Sequence, residues 1–137
     1  MRCPVRGELL STAEVTPPKT RFLIPFADFF QNSSSLHRAV LRPGEELIYA
    51  PMRGILTHAD RGEARFLICG HIRVALWLHT ADDRPLALSA EELLLLCTEG
   101  TPLKEGQVLC RLDLAALRRR GSAPLLSMLG TLPFRCN

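Results

Sequence analysis

The chain has 137 residues, the length of one domain, and at 47% apolar and 23% charged it can bury a real core. Lys and Arg total 17 against 14 Asp and Glu, for a net charge of +3. The basic residues are scattered except at Arg118–Arg120, and the few aromatics do not interleave with them, which argues against nucleic-acid binding.

Cys3, Cys69, Cys97, Cys110 and Cys136 form an odd set without a CxxC pair. The start lacks an apolar signal core, and no apolar run approaches the roughly 20 residues that span a bilayer. These features predict a reduced, cytoplasmic protein with no membrane insertion.

The N-terminal CPVRGEL (Cys3 to Leu9) is echoed by APMRGIL (Ala50 to Leu56), and more weakly by TPLKEGQVL (Thr101 to Leu109). In each of the first two, Pro favours extended backbone and Gly allows a turn or close approach, so a duplicated strand-turn-strand unit is expected. Residues 16–35 are irregular, broken by Pro17, Pro18 and Pro25 and then Ser-rich, and read as a mobile loop. Strands are expected at Leu36 to Leu41, Leu47 to Tyr49, Ile55 to His58 and Arg65 to Cys69, with a tight turn at Asp60 to Gly62.

His71 to His79 has a clean two-residue period. Ile72, Val74, Leu76 and Leu78 fall on an aliphatic face. His71, Arg73, Ala75, Trp77 and His79 fall on a mixed one. Ser89 and Glu92 form a capping box that predicts a short helix over Leu93 to Thr98. A strand from Gln107 to Leu112 follows. Asp113 then caps a second helix, Leu114 to Arg120, with Arg118, Arg119 and Arg120 suited to its C-terminal dipole. Pro124 to Met128 and Thr131 to Phe134 read as the last strands. The sum is an all-β chain, an antiparallel sandwich or flattened barrel with two short helices, as one domain over 1–137.

Same-face neighbours on a strand lie about 7 Å apart, so Trp77 and His79 can touch one ligand or partner together. A histidine at a strand end, beside an indole and followed by Asp82 and Asp83, is the best candidate for chemistry. His71 shares its face but lies about 26 Å away along a straight strand, too far for one metal ion, and no metal or other cofactor is expected. No Ser/His/Asp set or Cys/His pair stands out in the sequence.

Four segments together resemble the glucose-type IIA component of the bacterial phosphoenolpyruvate:sugar phosphotransferase system. They are Cys3 to Val15, Ala39 to Pro51 with APMRG, Val74 to His79 with the following aspartates, and EGTPLKEGQVLCRLD (Glu99 to Asp113). The resemblance implies a duplicated antiparallel β sandwich. It implies that His79 accepts a phosphoryl group from the histidine phosphocarrier protein and passes it to a IIB domain of a sugar permease. His79 would then be open to a docking protein, with Trp77 as a docking aromatic. Asp83, or Asp82 as its rival, matches the family's aspartate after the acceptor. The family's helper histidine falls at Ala64, so that group is lost. The alternative is a degenerate relative that binds phosphotransferase partners or regulated proteins without carrying phosphate.

Overall fold

The computed structural model describes residues 1–15, 29–30 and 35–134. The expected loop over 16–35 therefore lies almost wholly outside the described residues, as does Cys136. In chain order the elements are β1 (Gly7–Val15), β2 (Leu36–Pro43), β3 (Leu47–Tyr49), β4 (Gly54–Asp60), β5 (Arg65–Cys69) and β6 (Arg73–His79). They continue with β7 (Leu93–Leu95), β8 (Pro102–Leu103), β9 (Val108–Leu112), α1 (Leu114–Arg119) and β10 (Leu125–Gly130).

Two antiparallel sheets face each other, as the alternating strands require. One has seven strands in the order β1-β2-β10-β6-β5-β4-β8, and the other has three in the order β3-β9-β7. Leu41, Leu56, Phe66, Ile68, Val74, Leu76, Leu78, Leu126 and Met128 of the large sheet form one core with Ile48, Leu93, Leu109, Cys110 and Leu112 of the small one. Burying each large side chain there stabilises by about 1.5–3 kcal/mol. The all-β sandwich read from the sequence is the observed fold.

The Cys3-to-Leu9 and Ala50-to-Leu56 echo has a structural counterpart. Gly7 opens β1 and Gly54 opens β4. Gly44, after β2, lies against Arg6 O and the Gly7 Cα. Gly70, after β5, lies against Arg53 O and the Gly54 Cα. A Cβ on Gly7 would fall 2.0 Å from Arg42 O, and one on Gly54 2.8 Å from Cys69 O. Both halves therefore cross backbone over backbone at an Arg-Gly step, which a side chain would block.

Two expectations need correction. The helix predicted over Leu93 to Thr98 is absent. The capping box forms, with Ser89 N donating to Glu92 Oε1 at 2.9 Å and Glu92 N to Ser89 Oγ at 3.3 Å, but it closes a turn. The leucines after it enter β7, where Leu93 pairs with Leu112 and Leu95 with Cys110. Cross-strand pairing beside the core outweighs helix propensity there. Thr131 to Phe134 is also not a strand, although Phe134 seals the core edge. The helix after Asp113 does form, and Asp113 Oδ1 accepts from Ala116 N at 3.0 Å. Arg118 and Arg119 lie in its last turn, but Arg120 instead donates to Glu92 Oε2 at 2.6 Å.

Ala64, the expected helper position, precedes β5. Its carbonyl accepts from Leu78 N at 3.0 Å, and its methyl is fully buried in the core with Leu78. His79 points the opposite way along β6. The register pairs Arg65, not Ala64, with Trp77 on the His79 face. The Ala64 methyl therefore faces the core, and its φ of +51° is a left-handed conformation that most side chains disfavour. Ala64→His should lower stability by about 2 kcal/mol, from overpacking the core. Ala64→Gly should stay within about 1 kcal/mol of the native chain, because relief of strain offsets the lost methyl. Chemical denaturation of the two variants checks both.

Candidate functional site

Strand β6 is central in the large sheet, between β10 and β5. Its aliphatic face lies in the main core. Its second face is also covered, by a smaller cluster of Phe30, Leu36, Ala75, Trp77 and Leu129. The expected half-open face is therefore closed. His79 retains 2% of its exposure and Trp77 8%. This corrects two expectations together: His79 is not open to a docking protein, and the Trp77 ring is not presented to one. The two do touch, with ring centroids 5.9 Å apart.

What encloses His79 comes from the neighbouring strands. Register places Ser127 of β10 opposite Trp77, and Leu129 opposite both Ala75 and Arg38 of β2. Arg38, Ser127 and His79 therefore share one face across three consecutive strands. Arg38 Nε and Nη2 donate to Ser127 Oγ at 3.0 and 2.9 Å. Ser127 Oγ and His79 Nε2 are 2.6 Å apart, and His79 Nδ1 and Thr80 O are 2.7 Å apart.

A carbonyl only accepts, so Nδ1 carries the ring proton and donates it to Thr80. Nε2 is then the basic nitrogen and accepts from the Ser127 hydroxyl. The direction of every bond in the chain follows: Arg38 to Ser127 to His79 to Thr80. The Arg38 Nη2 atom also lies 3.5 Å from Nε2, and its guanidinium stands 5.3 Å from the Trp77 ring centroid.

Asp83 closes the site from the solvent side. Its carboxylate takes both arms of the Arg38 fork, at 2.5 and 3.2 Å, and lies 3.5 Å from His79 Nδ1. Its φ of +62° turns the Thr80–Arg84 loop back over the ring. Asp82 faces away, accepting from Thr80 Oγ1 at 2.6 Å and pairing with Arg84 at 3.2 Å. Of the two aspartates expected near His79, Asp83 is the one brought to it.

Burial pushes the His79 pKa below the ordinary imidazole value. The Thr80 hydrogen bond opposes this, the Arg38 cation adds to it and Asp83 opposes it. Hydrogen bonding from Arg38 holds Asp83 below the usual carboxylate range. The ring is thus neutral at neutral pH, with a fixed tautomer and one basic nitrogen beside a cation.

Ser127, His79 and Asp83 form a Ser/His/Asp constellation that the sequence did not reveal. It is unsuited to acyl transfer. Ser127 is 0% exposed, its oxygen already accepts two bonds from Arg38, and the Nδ1 proton goes to a backbone carbonyl. Arg38 and Ser127 were missed by sequence reasoning. The available signal was one hydroxyl inside the apolar run LLSMLG and an arginine two residues after Leu36 on the same strand face.

Elsewhere, His58, Asp60 and Glu63 have ligand atoms within 4.8 Å of one another at the β4–β5 hairpin. Glu63 is engaged by Arg65, and Asp60 Oδ1 accepts from Glu63 N at 3.0 Å. Among the described residues, no helix is long and apolar enough to cross a membrane.

The antiparallel sandwich of this chain is a IIA-like fold. Among solved structures it resembles glucose permease IIA from Mycoplasma capricolum, at TM-score 0.59 and 15% identity over 93% of this chain and 76% of that one. No family model matches the sequence, and no curated protein matches it.

The lowered His79 pKa sets a pH dependence. Below the ordinary value near 6.5 the unfolded chain takes up a proton that the folded ring refuses, so stability is full above that value and declines as pH falls below it. Asp83, also held low, loses its contribution only at more acid pH, below about 3.8. The midpoint of thermal unfolding should drop between about pH 7.5 and pH 5, and His79→Gln should flatten that drop. Equal slopes for the two proteins would remove His79 as its source.

Proposed function

We propose that this chain is a cytoplasmic IIA-type phosphoryl carrier whose acceptor, His79 Nε2, is closed at rest and exposed when a partner docks. The observation that carries the reading is the Nδ1–H bond to Thr80 O. It leaves Nε2 as the basic nitrogen of a neutral ring beside a guanidinium. Phosphoryl transfer needs that combination: a lone pair to attack phosphorus and positive charge for the equatorial oxygens.

The donor is the phosphohistidine of the histidine phosphocarrier protein. The donor's P–N bond breaks as the Nε2–P bond forms, and no proton has to leave Nε2. Positive charge that develops on the ring is offset by the Thr80 carbonyl that accepts the Nδ1 proton. Onward transfer goes to a IIB domain of a sugar permease. The cover over the ring on the solvent side is the Arg38–Asp83 pair, whose carboxylate is 44% exposed.

A second reading rests on the 2% exposure of His79 and the hydrogen bonds on both of its nitrogens. In it the network is structural, and the chain binds phosphotransferase partners or regulated proteins without carrying phosphate.

Incubation with phosphoenolpyruvate and the two general phosphotransfer proteins separates the readings. The first predicts an acid-labile phosphate adduct by intact-mass measurement, absent in His79→Ala. An unmodified wild-type chain selects the second.

A further inference from the structure

We infer that Arg38 and Ser127 form a phosphoryl seat beside His79 Nε2, and that the Asp83 carboxylate fills this seat in the closed form. The inference rests on the carrier reading and adds to it the groups that would replace a helper histidine. Ala64, at the position where the sequence suggested that histidine was lost, points into the core. Arg38 is where a substitute has to be: its Nη2 lies 3.5 Å from Nε2, and it crosses from β2 over Ser127 of β10 to reach β6.

The fork of a guanidinium matches two oxygens of a carboxylate or of a phosphoryl group equally well. At rest both arms hold Asp83, at 2.5 and 3.2 Å. A dianionic phosphoryl group brings more charge than one carboxylate, and Asp83 sits on an exposed turn at the solvent side of the ring. The exchange has three parts. The phosphoryl oxygens take the Arg38 fork. The Ser127 hydroxyl turns from Nε2 to donate to a phosphoryl oxygen. The released Nε2 lone pair bonds to phosphorus.

Phosphoramidate tests the seat without any partner protein. The Nε2–P bond forms, the P–N bond of phosphoramidate breaks, and ammonia leaves with the protons of that nitrogen. Adduct formation on His79 is followed by mass and by phosphorus NMR.

Asp83→Asn should react several-fold faster than wild type, because the competing carboxylate is gone. Arg38→Gln should react about tenfold slower or worse. Arg38→Lys, which keeps the charge and loses the fork, should fall between them. Thermal unfolding of each variant identifies one that has lost its fold, and Asp83→Asn then carries the test alone. A merely structural Arg38–Asp83 pair predicts no acceleration in Asp83→Asn.

Equal rates in wild type, Asp83→Asn and folded Arg38→Gln overturn the seat while leaving the carrier reading intact. No adduct in wild type or in Asp83→Asn, from phosphoramidate or from the protein donors, overturns both.

Discussion

A guanidinium that is nearly enclosed must be neutralised and hydrogen-bonded, or the fold around it fails. Arg38 meets this demand by reaching across two strands. Its donors go to Ser127 and Asp83, and through Ser127 they fix which nitrogen of His79 carries the proton. That crossing ties the charges of the site together. Burial first and that cation after it lower the His79 pKa, the same cation holds Asp83 below the usual carboxylate range, and Asp83 ties the turn after β6 to Arg38. Removing any member leaves another polar group buried without a partner, which makes the network cooperative.

The sheet supplies what the crossing needs. β2, β10 and β6 are consecutive, and their registers set Arg38, Ser127 and His79 on one face. The other face of the same strands is committed to the core shared with the small sheet. A strand buried on both sides loses the alternation of wet and dry faces expected of an outer strand. That is why a pattern with Arg73 and His79 on one side ends in a histidine with almost no exposure.

The two-residue periods of β2, β5 and β6, the Asp113 cap and the Pro-x-x-Gly echo were legible in the sequence because each is local. So was the candidacy of His79, which sits at a strand end beside Trp77. What stayed hidden depends on register. One residue of slip in the β5–β6 hairpin decides whether Ala64 or Arg65 faces Trp77, and counting along the chain cannot reveal it. Ser127 and Arg38 lie 48 and 41 residues from His79 in sequence and meet it only through pairing with β10. The leucines after Glu92 suit either a helix or an edge strand, and β9 decided between them.

The paired glycine crossings, Gly7 over Gly44 and Gly54 over Gly70, bear on how such a chain ages. They fix the shape through main-chain contact, and main chain is the same whatever residues flank it. Each half is then at liberty to exchange nearly every side chain around those crossings while the backbone path persists. That fits a molecule with a recognisable IIA-like contour at only 15% shared identity.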